Sequence, residues 1–123
     1  MARRPVPASH LRLKRVYEAA APDDGTRILV DRLWPRGLSK TEAAVDRWMK
    51  EVAPSTELRR WFGHDPERWA EFRRRYADEL QAHPNALNEI RELARKGTVT
   101  LLFGARDEQH NDAVALRDAL RQG

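Results

Sequence analysis

The sequence predicts a single α/β domain with a small, mostly parallel sheet of about three strands, covered by four to five helices. Two uninterrupted apolar runs, residues 28–30 and 99–103, are typical of strands buried on both faces, as in parallel sheets that helices cover. Between them, residues 39–97 have helical periodicity, so this connection is expected to be a right-handed crossover. A chain of 123 residues is long enough for one domain with one core.

The chain begins with a segment rich in arginine and proline. Residues 1–10 have no periodicity and predict a flexible basic arm, so the single α/β domain is expected to span residues 11–123. Residues 11–17 begin in apolar–polar alternation, which is typical of a half-buried or edge strand. The sequence Ala-Pro-Asp-Asp-Gly at residues 21–25 favours a turn before the first buried strand.

The buried strand is predicted over residues 27–34, and the sequence Trp-Pro-Arg-Gly at 34–37 suits a type I turn. The helical region then opens at Ser39, which forms a capping-box pattern with Glu42. This first helix is predicted to bury a stripe of apolar side chains at helical spacing, namely Val45, Trp48, Met49 and Val52.

Four further helices are predicted. A short one over residues 54–63 is followed by a longer one that starts at residues 65–67, where Asp-Pro-Glu is a strong start signal. Another occupies residues 84–97 and ends at a glycine. After the second buried strand, Asp107 is predicted to cap a terminal helix that runs to about residue 121.

The composition excludes several classes of protein. The chain has no cysteine, which excludes disulfides, thiolate nucleophiles and cysteine-bound zinc. No run of 18 apolar residues is present, so a membrane-spanning helix is excluded, and the N-terminus lacks the apolar stretch of a signal peptide. We therefore expect a cytoplasmic protein with no membrane partner. The sequence leaves its oligomeric state open.

The basic residues are unevenly distributed along this arginine-rich chain. The formal net charge is +4, and 19 of the 23 basic residues are arginine. Five of the 23 lie within residues 1–15, which have no acidic residue, so the rest of the chain holds 18 basic and 19 acidic residues. A nucleic-acid partner is therefore expected, if at all, through the N-terminal segment and not through the domain.

Chemistry-bearing side chains follow both buried strands. Ligands of open parallel sheets bind outside the carboxyl ends of the strands, where the next helices also point their positive ends. If the two strands are neighbours, their following loops meet in one cleft. The candidate residues there are Asp31, Asp107 and His110 for acid–base catalysis, and Arg32, Arg36, Arg106 and Asn111 for ligand binding.

Three of these residues have two interpretations each, and both are open at this point. Asp31 is either in a structural ion pair with Arg32 or Arg106, or in contact with a ligand. Asp107 is either a helix cap or an acid–base group. His110 is either a general base near neutral pH or a solvated side chain. No cofactor motif and no metal-binding spacing is present, so no cofactor and no metal are expected.

Three stretches of the sequence resemble a known family: Val-Asp-Arg-Leu-Trp-Pro-Arg-Gly at 30–37, Trp-Phe-Gly-His-Asp-Pro at 61–66 and Arg-Asp-Glu-Gln-His-Asn at 106–111. The chain resembles the YeaO-like branch of the domain-of-unknown-function family 488 over about residues 11–121. The resemblance implies a small bacterial or archaeal α/β domain without an established activity. Some members are labelled as MarR-type regulators, but this chain has no winged-helix pattern.

The chain departs from that family at its cysteines. Relatives in the wider family often have a cysteine at the end of the late strand and a Cys-His-Arg sequence downstream. Here Phe103 and Gly104 stand near the first, and only His110 matches the second. A thiol mechanism is therefore closed to this protein.

Three classes of function remain open. The leading hypothesis is a domain that binds a small anionic ligand, nucleotide- or phosphate-like, at the strand ends, with a hydrolytic reaction if there is turnover. The alternative is a nucleic-acid-associated or regulatory module that uses the basic N-terminal segment. In the third, the chain is a non-catalytic interaction domain whose arginine–aspartate cluster is an internal ion-pair network.

Overall fold

The predicted α/β fold is confirmed by the computed structural model, which describes residues 5–122. Four parallel strands, one more than predicted, form a single sheet in the order β1-β4-β2-β3. The strands are β1 (Leu11–Arg15), β2 (Thr26–Leu29), β3 (Arg47–Trp48) and β4 (Val99–Phe103). The helices are α1 (Lys40–Ala43), α2 (Thr56–Phe62), α3 (Trp69–Leu80), α4 (Pro84–Lys96) and α5 (Asp112–Gln122).

The two faces of the sheet pack against different parts of the chain. Ile28 of β2 and Leu101 of β4 point into the larger core, which α2, α3, α4 and α5 complete. Leu29 and Leu102, one residue further along each strand, point into a smaller core with side chains of α1 and the loop before it. Both strands are therefore buried on both faces, as their uninterrupted apolar sequences predicted. The predicted edge strand is β1, which pairs only with β4.

The predicted long helix after Ser39 is wrong. Its capping box is present, but α1 ends after four residues because Ala44 adopts the left-handed conformation with φ of 50°. The chain then turns to pair with β2: the backbone N–H of Asp46 donates to the Arg27 carbonyl, and that of Met49 donates to the Leu29 carbonyl. Met49 and Val52 are thus buried, and Val45 and Trp48 partly buried, around β3 and not along one helix face.

The segment after β2 also differs from its prediction. The strand ends at Leu29, and residues 31–39 form an irregular loop that carries Trp34 back over the smaller core. The turn in this loop is at Arg36 and Gly37, one residue later than predicted, because Gly37 is the residue with positive φ, at 79°. Polar contacts hold the loop in place, since the indole Nε1 of Trp34 donates to the Leu38 carbonyl at 2.8 Å.

The start of the terminal helix is a further correction. The predicted cap, Asp107, lies five residues before α5, which begins at Asp112. Asn111 caps the helix instead, because its side-chain oxygen accepts a hydrogen bond from the Val114 nitrogen at 3.0 Å. The starts of α2, α3 and α4 and the glycine ends of α2 and α4 agree with the prediction, α3 being preceded by a 3-10 turn over Pro66–Arg68.

Part of the predicted arm packs against the domain. Residues 1–4 lie outside the described part of the chain. Ala8–His10 form a 3-10 turn, and the Nδ1 atom of His10 is 2.5 Å from the Ala94 carbonyl oxygen at the end of α4. Val6 packs on the larger core. Within residues 5–122, no helix is both long and apolar enough to cross a membrane.

Candidate functional site

A cavity lies where the chain leaves the carboxyl ends of β2 and β4. Its volume is about 400 Å³, and its walls come from the loops after the two strands, from α2 and from the start of α5. Five of the seven predicted residues line it, namely Asp31, Arg32, Arg36, His110 and Asn111. Arg106 and Asp107 do not line it; Arg106 is an exposed side chain outside the cavity. The strand-end argument thus locates a real concavity between neighbouring strands.

Asp31 joins the two loops of the cavity. Its Oδ2 atom accepts a 2.8 Å hydrogen bond from the backbone nitrogen of Gly104, and its carbonyl accepts one from the indole Nε1 of Trp48. The expected ion pair with Arg32 or Arg106 is absent among the described residues. The Asp31 carboxylate therefore lines the cavity with a backbone nitrogen as its hydrogen-bond donor, and it forms no ion pair with an arginine of residues 5–122.

A second carboxyl, Asp112, which sequence reasoning missed, lies beside Asp31. Asp112 is the first residue of α5, lines the cavity and is close enough to Asp31 for the two carboxyls to interact. Loss of hydration first, and then the negative charge of Asp31, raise the pKa of Asp112 well above its ordinary value. The strand-end argument finds this residue if it is extended by one position beyond Asn111.

Asp107 and His110 form an acid–imidazole pair at the edge of the cavity. Hydrogen bonds from the backbone nitrogen of Gln109 and from His110 lower the pKa of Asp107. The Nδ1 atom of His110 is 2.9 Å from the Asp107 Oδ2 atom. An ionised carboxylate only accepts, so Nδ1 carries the hydrogen and Nε2 is the acceptor nitrogen of the neutral imidazole. The ring also packs edge-on against Trp69, with 5.3 Å between centroids.

Three arginines line the cavity, and we call Arg32, Arg36 and Arg59 the cavity arginines. None of them forms an ion pair with any residue of the described part of the chain. Arg32 donates from Nε to the Pro54 carbonyl at 3.3 Å, which leaves its terminal nitrogens for other partners. Arg59 was missed because its place on α2 predicts an exposed helix face; the side chain is indeed exposed, but it also lines the cavity.

The remaining walls are largely apolar. Phe62 and Phe72 line the cavity and stack on each other with 4.4 Å between ring centroids. His64, which was also missed, follows the end of α2 and lines the opening. Leu33 lines the cavity too, and 60% of its surface is exposed. An apolar wall with a few charged groups is the usual composition of a small-molecule site.

The cavity holds few donors for a metal ion. Asp31 and Asp112 each accept a hydrogen bond from a backbone nitrogen, and His110 is held by Asp107. Within residues 5–122, no three histidine or carboxylate side chains are grouped closely enough to hold a metal ion. The chemistry that these residues offer is therefore hydrogen bonding and charge, with arginine for anions and a carboxyl pair for polar neutral groups.

The comparisons with known proteins agree with the resemblance of the sequence. Residues 10–123 match a family model described as the inactive DUF488-N3 subclade. The chain is 46% identical to the uncharacterized protein YeaO of Escherichia coli over 112 residues, which are 91% of this chain and 97% of that protein. It is 45% identical, over 91% of its length and 94% of theirs, to the uncharacterized proteins Mb3100c of Mycobacterium bovis and Rv3073c of Mycobacterium tuberculosis. No solved structure matches the chain.

Proposed function

The chain belongs to the DUF488 family, in the subclade described as inactive, and from this membership we propose that it binds a small anionic ligand without turning it over. The ligand is nucleotide- or phosphate-like and occupies the cavity at the ends of β2 and β4. The observation that carries the proposal is the set of cavity arginines, which converge on one concavity without a carboxylate partner among residues 5–122.

Several arginines outside the cavity have carboxylate partners. Arg47 lies 2.6 Å from a carboxylate oxygen of Glu89, and Arg73 lies 2.9 Å from one of Asp118. Three like charges around one opening repel one another unless an anion neutralises them, and the guanidinium group suits phosphate or carboxylate because it donates two parallel hydrogen bonds. The arrangement therefore supports an anionic ligand over an internal ion-pair network.

The subclade description favours binding over a hydrolytic reaction. His110 is nevertheless oriented by Asp107 with its acceptor nitrogen available, which is the arrangement of a general base. Hydrolysis is therefore the second candidate. It is measured in the same experiment by following inorganic phosphate released from each nucleotide that binds.

The basic N-terminal segment supports a nucleic-acid role less well. Arg12 is paired with Asp23 at 3.1 Å, and Lys14 is paired with Asp24 at 3.2 Å. Arg15 donates to the carbonyls of Gly104 and Ala105. These cations are engaged within the domain, so fewer remain to neutralise the phosphates of a nucleic acid.

The proposal is tested with two neighbouring arginines of α2. Both side chains are exposed, but Arg59 lines the cavity and Arg60 does not. Calorimetric titration with inorganic phosphate and adenosine monophosphate is expected to show binding by the unaltered protein. Affinity is expected to fall at least about tenfold in Arg59→Gln, since a charge-assisted hydrogen bond contributes roughly 1.5–3 kcal/mol, and to stay unchanged in Arg60→Gln. Equal affinities in the two variants, or no binding by the unaltered protein, would overturn the proposal.

A further inference from the structure

The cavity contains a second recognition element, whose role rests on the proposed function. We propose that the Asp31–Asp112 carboxyl pair binds the hydroxyl groups of a phosphorylated sugar, free or as part of a nucleotide, whose phosphate lies at the cavity arginines. The ligand class of the site is then a sugar phosphate, and specificity for the sugar comes from a pair of carboxyls that the anion-binding role does not use.

The first support is the position of the pair. Asp31 is fixed by the hydrogen bond from the Gly104 nitrogen, and the Oδ1 atom of Asp112 accepts from the Ala113 nitrogen at 2.9 Å. Both residues line the same cavity as the arginines. Their carboxyl groups are thus held in place by backbone donors on two separate elements, the β4 loop and the start of α5, and do not swing freely in solvent.

The second support is the chemistry of the pair. Two carboxyls that lie this close do not both ionise readily, and the raised pKa of Asp112 identifies it as the one that keeps a proton to higher pH. A singly protonated pair offers one donor and several acceptors. A hydroxyl group both donates and accepts, so adjacent hydroxyls of a sugar match such a pair.

Other ligand chemistries fit the cavity less well. Inorganic phosphate satisfies the arginines but leaves the carboxyls without a partner. A cationic ligand is attracted by the carboxyls but is repelled by the arginines that line the same cavity. A phosphorylated sugar places its anion and its neutral hydroxyls at opposite ends. The cavity, at about 400 Å³, lies within the range of small-molecule sites, and the phenylalanine wall can cover a ring face.

The test is a titration of the full chain with three probes: inorganic phosphate, ribose 5-phosphate and 2-deoxyribose 5-phosphate. We expect the unaltered protein to bind ribose 5-phosphate about tenfold more tightly than inorganic phosphate, because two or more hydroxyl contacts are added. The deoxy sugar is expected to bind with intermediate affinity. Equal affinity for all three probes would overturn the inference and leave anion binding intact, whereas no binding of any probe would overturn the proposed function itself.

Variants of α5 then assign the preference to the pair. Asp112→Ala is expected to lose the preference for ribose 5-phosphate and to keep the affinity for inorganic phosphate. Asp112→Asn, which retains a donor and an acceptor, is expected to recover part of it. Asp118→Asn, on the same helix but outside the cavity lining, is expected to bind as the unaltered protein does. An unchanged preference in Asp112→Ala would contradict the assignment, and the probe series on the unaltered protein decides the case if a variant does not fold.

Discussion

The carboxylate of Asp31 accepts a 2.8 Å hydrogen bond from the backbone nitrogen of Gly104, although the two residues are 73 positions apart in the chain. The bond ties the loop after β2 to the loop after β4. The side chain of Arg15 at the end of β1 makes a second tie, since it donates to the carbonyls of Gly104 and Ala105. The shape of the cavity therefore depends on three strand ends that meet at one edge of the sheet.

The Arg15 tie gives the first prediction. Arg15→Met is expected to lower the free energy of unfolding by about 1–2 kcal/mol, because two carbonyls lose a charged donor. Arg12→Met, on the same strand, removes an exposed pair with Asp23 and is expected to cost about 0.5 kcal/mol or less. Urea denaturation of both variants measures the difference. A cost for Arg12→Met as large as that for Arg15→Met would show that the tie to the β4 loop does not stabilise the fold.

Strands β1, β2 and β4, the starts of α2, α3 and α4, and the candidate loops were predictable from local patterns. Uninterrupted apolar runs are rare outside buried parallel strands, and they located β2 and β4. The segment after Ser39 failed because short strands have no periodicity of their own. In β3, two residues pair with β2 by long-range hydrogen bonds that overrode a helical spacing of apolar side chains. Asp112 was missed because its role arises only where α5 meets the Asp31 loop.

The cap of α5 gives the second prediction. Asn111→Ala is expected to cost about 1 kcal/mol of stability, because the Val114 nitrogen loses its side-chain acceptor. Asn111→Asp retains an acceptor and is expected to remain within about 0.5 kcal/mol of the unaltered protein. Thermal unfolding by circular dichroism measures both changes. If Asp107→Ala destabilised the protein while Asn111→Ala did not, the cap would be Asp107 after all.

Two glycines with positive φ give the third prediction. A Cβ added to Gly25, which has φ of 65°, would lie 2.1 Å from the carbonyl oxygen of Thr98 at the start of β4, so that Gly25→Ala is expected to cost more than about 3 kcal/mol. Gly37 has φ of 79° but no atom within 4 Å of such a Cβ, so Gly37→Ala is expected to cost only about 1 kcal/mol. Denaturant midpoints compare the two variants, and similar midpoints would contradict this account of the close approach.

The carboxyl pair gives the last prediction, which concerns stability against pH. Folding raises the pKa of the Asp112 carboxyl. When the pH lies between its ordinary pKa and the raised pKa, the carboxyl therefore binds more protons in the folded protein than in the unfolded chain. Its contribution to stability is therefore complete below the ordinary pKa, near 3.8, and is lost as the pH rises through the pKa of the folded state. Near neutral pH, Asp112 is thus expected to destabilise the protein.

Replacing Asp112 by asparagine removes this cost. We expect Asp112→Asn to melt at a higher temperature than the unaltered protein at pH 7, because asparagine places no second negative charge beside Asp31. The two melting temperatures are expected to converge as the pH falls below 3.8, where Asp112 becomes protonated in the unfolded chain as well as in the folded one. Asp118→Asn, on the solvent side of α5, is expected to show no such convergence. A melting temperature of Asp112→Asn below that of the unaltered protein at pH 7 would mean that the carboxyl pair stabilises the fold, and a binding role would then not be needed to explain why the two acids lie together.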